Sequence, residues 1–247
     1  MTVRPVQVNI KAVDVEAVGR FWAEALGWRS SAGARGVTRL VAPVGFVWPD
    51  PVVVCVNVVP VPRAKPAAKN GVHLDLATDS LAGQADLVAR LRALGATSAD
   101  VGQGDVPWTV LADPEGNEFC VLEPREIYRD TGPIAAVVVD CVDPRAMARF
   151  WGEALDCAPR EVTDDQARLR STERGGPYLE FLRVPGAEAG ADRVHLDLLP
   201  HPVDDNAAEA ARLRALGATD LDVGQGEVPW RVLADPEGHD FCVLAGG

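Results

Sequence analysis

Polar and apolar residues alternate along VQVNIKAV, residues 6–13, with Gln7, Asn9 and Lys11 on one face and Val6, Val8 and Ile10 on the other, the period of a half-buried strand. The period then changes. Val18, Trp22, Ala25 and Leu26 recur at helical spacing, and Gly27 supplies a stop. Apolar runs around 37–42 and 52–59 predict two more strands. The same order comes again: GVHLDLA predicts a strand, SLAGQADLVARLRALGAT a helix with Leu87, Val88, Leu91 and Leu94 inward, and WTVLADP and NEFCVLE a pair of strands. Asp113-Pro114-Glu115-Gly116 joins that pair as a turn, because proline presets φ at its second position and glycine tolerates φ > 0.

This double pattern is itself repeated. VDVEAVGRFWAEALG at 13–27 matches VDPRAMARFWGEALD at 142–156, and GQGDVPWTVLADPEGNEFCVL at 102–122 returns at 224–244 with four of its 21 positions changed. The offsets are 129 and 122, so half one carries seven extra residues, in the stretch before its HLDL segment that includes PVPRAKPAAKNG. EPREIYRDTGP at 123–133 is charged, ends in Gly-Pro and separates the halves. The 247 residues therefore divide into units 1–127 and 128–247, each of two strand-helix-strand-strand modules. Past the end of the long motif the two copies part: the first runs into Glu123, the second into Ala245.

Composition narrows the function classes. With 47% apolar and 24% charged residues the chain reads as globular and soluble, and no apolar run approaches the roughly 18 residues of a membrane span. The N-terminus alternates like a strand and lacks a secretory pattern, so a cytoplasmic location is expected. Net charge is 24 − 36 = −12, without a basic cluster longer than a pair, which works against nucleic acid or a membrane as partner and leaves a small organic molecule. The five cysteines form no CxxC pair and read as reduced and buried.

RFWAEALG on the first helix, the GVHLDL strand and the terminal DPEGNEFCVLEP hairpin, each present again in half two, resemble the vicinal oxygen chelate superfamily of glyoxalase I, bleomycin-resistance proteins and extradiol dioxygenases, and within it the glyoxalase-like domains. The resemblance implies an α+β fold, four βαβββ-type modules paired into two cup-shaped glyoxalase-like domains. It implies a monomer with pseudo-dimeric halves or a homodimer. It does not fix the reaction, since one scaffold carries many chemistries. Members hold a divalent metal with ligands from the first and last strands of each module. Carried over, half one offers Gln7, Cys55 or a neighbour, His73 and Glu123; half two offers Ala136, Glu180, His195 and Ala245. One divalent metal in half one, held by Gln7, His73 and Glu123, and none in half two is the resulting expectation. Glu123 would serve as ligand or as a base alpha to a carbonyl.

Other readings of these residues stay open. His73 and His195, each two residues before an aspartate on the same strand face, read equally as hydrogen-bonded residues lining a cup. Glu123 also reads as a solvated charge opening the linker. Trp28 and Trp48 have no counterparts in half two and are candidates for stacking on a planar ligand, whereas Trp22, Trp151, Trp108 and Trp230 are repeat pairs and read as structural. Asn9, His195 and Glu180 complete the candidate ligand-binding set. Because half two presents only two ligands, a metal-free binding or resistance-type protein is favoured over a metal-dependent lyase or isomerase. Module one could also pair with module four, which would separate Gln7 from Glu123.

Overall fold

Strand β1 (Val3–Ala12) is followed by Asp14, whose carboxylate accepts from Ala17 N at 2.9 Å and starts helix α1 (Val15–Leu26). Gly27 closes that helix in the left-handed region at φ 65°, its N–H reaching the last carbonyls. Strands β2 (Arg29–Ala32), β3 (Thr38–Val41) and β4 (Cys55–Pro60) complete the module. The alternation did not announce β2, because all four of its residues are exposed and an edge strand with no buried face leaves no period.

Module two is β5 (Val72–Leu76), α2 (Leu81–Ala93), β6 (Thr97–Ser98), β7 (Thr109–Ala112) and β8 (Glu118–Val121). Module three is β9 (Ile134–Cys141), α3 (Pro144–Leu155), β10 (Pro159–Val162), β11 (Gln166–Leu169) and β12 (Tyr178–Arg183). Module four is β13 (Val194–Pro200), α4 (Asn206–Leu216), β14 (Thr219–Asp220), β15 (Arg231–Ala234) and β16 (Asp240–Val243). The computed structural model describes all residues except 1–2, 43–44, 46–47, 50–52, 172–174, 187–192, 201–205, 225 and 246–247. Of the α2 positions expected inward, Val88 and Leu91 are buried and Leu87 packs against the core, but Leu94 lies past the helix end and is exposed.

The strands assemble into two eight-stranded sheets, ordered β14-β15-β16-β13-β1-β4-β3-β2 and β10-β11-β12-β9-β5-β8-β7-β6. The first joins module one to module four and the second joins module two to module three, so neither half closes a cup by itself. The joining ladders are antiparallel, β1 with β13 (Asn9 opposite His195) and β5 with β9 (His73 opposite Val138). Local pattern could not choose these partners, since β5 and β13 both read VHLDL.

The halves are held together differently. Trp22 of α1 packs edge-on against Phe119 of β8 at 5.0 Å between centroids, and Trp151 of α3 meets Phe241 of β16 at 5.1 Å. Each indole N–H is taken by the first aspartate of the repeated turn: Trp22 Nε1 donates to Asp113 at 3.0 Å and Trp151 Nε1 to Asp235 at 3.2 Å. The turn's glutamate accepts the backbone N–H groups just before the helix, Glu115 from Val13 (2.9 Å) and Asp14 (2.5 Å), Glu237 from Val142 (2.6 Å) and Asp143 (2.8 Å). The motif is kept twice because each copy fastens the first helix of its own half.

The halves are not perfect copies. Trp28 comes directly after α1 and packs against the core, while its counterpart after α3 is Cys157, which lines a mostly apolar cavity of ≈ 80 Å³ together with Leu155, Leu169, Leu179, Val3 and Val54. None of the five cysteines is disulfide-bonded, and all but Cys157 are buried.

Candidate ligand cups

In each sheet one face packs apolar residues against the helices, and the opposite face, the concavity, carries the polar residues of the central strands together with small apolar ones. Cup one presents Gln7 and Asn9 from β1, Cys55 and Asn57 from β4, His195 and Asp197 from β13, and Cys242 from β16, with Gln7 beside Cys55, Asn9 beside Asn57 and Asp197 beside Cys242 in register. Gln7 Nε2 donates to Asp197 Oδ2 at 2.5 Å, and Asn9 Nδ2 lies 3.2 Å from His195 Nε2. Asn57 Nδ2 donates to Asn9 Oδ1 at 3.2 Å. Lys11 is paired with Asp240 at 2.9 Å, and Asp240 in turn stands 3.9 Å from His195 Nδ1. Burial pushes the Asp197 carboxyl up, but the neighbouring His195 ring and the Gln7 and Asn9 amides outweigh it and hold Asp197 below its ordinary value.

Cup two has the same frame and other contents. Ala136 and Val138 replace the two amides of β1, Tyr178 stands where cup one has Cys55, and Glu180 stands where it has Asn57. Glu180 is therefore the counterpart of Asn57 and not of Cys55, two residues from the expected match. His73 Nε2 lies 3.6 Å from Asp75 Oδ1, and Asp75 neighbours Cys120 in register. Burial, then the charge of Lys69, pushes the His73 imidazole down to about 3, leaving it neutral. Burial, then the charge of Glu180, pushes the Asp75 carboxyl up to about 7. The remaining carboxylates are paired: Arg168 with Glu180 at 3.2 Å, Lys65 with Glu118 at 3.0 Å and Lys69 with Asp140.

A side chain from the linker enters cup two. Tyr128 ends a short 3₁₀ turn (Glu126–Tyr128), is only 3% exposed, and donates its hydroxyl to Glu180 Oε1 at 2.7 Å. Its ring packs with Val110, Cys120, Leu122 and Ala135 and meets Tyr178 edge-on at 5.6 Å. The Arg125 guanidinium lies over Trp108 at 5.5 Å and over Tyr128 at 5.9 Å. In cup one Arg35 lies over the equivalent Trp230 at 5.9 Å, which links the β2–β3 flank of the sheet to the β15 flank.

These placements correct the expected metal set. Gln7 lies in cup one, while His73 and Glu123 belong to the sheet of cup two, because the modules pair across halves. Glu123 does not join His73. It lies two residues past the end of β8 and is held by Arg125 at 2.7 Å, so its carboxylate anchors the linker. The last-strand atom that approaches His73 is Cys120. His73, Asp75 and Cys120 form one group whose ligand atoms lie within 4.8 Å of one another, and His195, Asp197 and Cys242 form its counterpart. Asn9 and His195 do meet, in cup one, whereas Glu180 lies in cup two, apart from His195. Trp28 packs on the core, and Trp48 is 39% exposed at the surface. Among the described residues the aromatic side chains at the cups are Trp108, Tyr128, Tyr178 and Trp230. The repeat hid the first and last of these, since a matched tryptophan pair reads as structural.

The fold and cups together define a tandem protein of the vicinal oxygen chelate class. The chain belongs to the Glyoxalase-like domain family, whose profile matches residues 7–122 and again 136–244. No curated relative matches it. Among solved structures it is similar to glyoxalase I from Zea mays, at 16% identity and TM-score 0.65 with 99% of this chain and 93% of that chain covered. It is also similar to a putative dioxygenase from Bacillus subtilis subsp. subtilis str. 168, at 15% identity and TM-score 0.63 with 98% and 86% covered. These likenesses concern the fold. No helix among the described residues is long and apolar enough to cross a membrane.

Proposed function

We propose that the chain is a metal-free binder of a small organic molecule, and that cup one is where the molecule sits. The observation carrying this reading is the direction of the amide groups: Gln7 Nε2 donates to Asp197 Oδ2 and Asn9 Nδ2 is aimed at His195 Nε2, so one atom of each would have to give up an amide before a cation could take it. Lys11 already neutralises Asp240 in the same cup. Burial, followed by the neighbouring aspartate's charge, pushes both the Cys120 and Cys242 thiols far above their ordinary range, so neither is a ready-made thiolate. Cup two is filled by Tyr128, which leaves cup one as the place for a guest.

The test is metal analysis of protein purified without chelator, followed by melting curves with zinc, nickel and cobalt. We expect less than about a tenth of an equivalent of metal and no shift of the midpoint, since only a ligand of the native state raises it. A stoichiometric metal that is lost on His195→Ala overturns the reading and restores the metal-dependent lyase or isomerase.

A further inference from the structure

We infer that cup one takes a phenol, or a ligand presenting a phenol-like aryl hydroxyl, with that hydroxyl donated to Asn57 Oδ1; this rests on the reading of cup one as the small-molecule site. The molecule contains its own template. In cup two a phenol, the side chain of Tyr128, lies buried against Val110, Cys120 and Ala135 beside Trp108, with its hydroxyl on Glu180. The corresponding positions in cup one are Val232, Cys242, Val6, Trp230 and Asn57. Val232, Cys242 and Val6 are buried, yet they belong to neither of the two hydrophobic clusters among the described residues.

The polar end of the template is present and has no partner. Asn9 points its amide nitrogen at His195 and Asp197, so its oxygen faces Asn57 and takes the Asn57 amide proton at 3.2 Å. The direction of this relay leaves Asn57 Oδ1 as a terminal acceptor. That atom is buried without a hydrogen-bond partner in a residue 5% exposed, at the position where Glu180 accepts from Tyr128. A buried acceptor left unmet is costly, and a ligand hydroxyl would meet it. Side-chain size at the matched positions differs in the right direction. Val6 adds two methyl groups over Ala135, but Cys55 replaces Tyr178 and removes a whole ring from the same wall. The Arg35 guanidinium over Trp230 matches Arg125 over Trp108, so an aryl ring seated beside Trp230 would lie near the same cation and indole.

The probes are p-cresol, which is the tyrosine side chain itself, and 4-methylanisole, which keeps the ring and lacks the donor. Binding is followed by saturation-transfer NMR and by the melting midpoint of the intact chain. We expect p-cresol to bind at least tenfold more tightly than 4-methylanisole, a preference that Asn57→Leu removes and Asn57→Asp, which retains the acceptor, keeps. Tyr128→Gly opens cup two and should raise the p-cresol stoichiometry from one site to two. Equal binding of the two probes, a preference that survives Asn57→Leu, or uptake of p-cresol by Tyr128→Gly alone overturns the inference. Should either variant fail to fold, the two probes on the unaltered chain decide. A different organic ligand that shifts the midpoint and is lost on substitution within cup one leaves the broader reading standing when p-cresol fails. A stoichiometric metal removes the broader reading whatever the probes do.

Discussion

Asp113→Ala should destabilise the native state by about 3–5 kcal/mol, the cost of stripping a buried, multiply bonded carboxylate from its donors. Asp113 is 2% exposed, and its Oδ1 accepts the backbone N–H groups of Glu115 and Asn117 while Oδ2 accepts Trp22 Nε1 and Asn117 Nδ2. Alanine leaves four donors unmet in a place water does not reach. For a chain of this size the midpoint should fall by about 10 °C or more. Asp113→Asn should fare little better, since its amide would set N–H groups against two of those donors. Asp105→Ala, on the exposed loop of the same motif, should stay within about 0.5 kcal/mol. A melting curve for Asp113→Ala within a degree or two of the unaltered chain would show that the repeated turn does not fasten the first helix.

The second large effect is a pH dependence that the unaltered chain conceals. His73 falls from 6.5 to about 3 on folding, so the unfolded chain binds a proton there that the native state refuses, and this contribution is lost as pH drops below 6.5. Asp75 rises from 3.8 to about 7, so the native state keeps a proton the unfolded chain has released, and this contribution is lost as pH rises from about 4 to 7. The two slopes have opposite sign over the shared window and largely cancel. His73→Gln should expose the aspartate's slope, with stability relative to the unaltered chain falling from pH 4 to pH 7 by on the order of 2–4 kcal/mol, bounded by about 1.4 kcal/mol per pKa unit. Asp75→Asn should expose the reverse slope, losing stability toward acid. Denaturant unfolding at a series of pH values measures both. Parallel profiles for the two variants would mean that neither group is titrated by folding.

Much of the fold could be read from the chain because its signals are local. The alternation in VQVNIKAV, the stripe of Val18, Trp22, Ala25 and Leu26, and the Pro-Glu-Gly turn each act over a few residues, and each became the expected element. The exposed strand β2 left no such mark. The candidate site was legible as a set of residue types and illegible as a set of neighbours. Asn9 and His195 do belong together, while the grouping of Gln7, His73 and Glu123 dissolves once β1 pairs with β13. Tyr128 gave no signal at all: a single tyrosine in a charged linker has no periodicity, and only its contact with Glu180 reveals it.

The sequence by itself determined the four modules, the duplication and the turn that fastens each first helix, because backbone preference and side-chain period are properties of short segments. Only the tertiary structure decided which modules share a sheet, and with that which polar groups meet. Two strands that both begin VHLDL offer the same ladder to either partner, and the choice between them is made by long-range packing of whole modules, which no stretch of residues encodes alone.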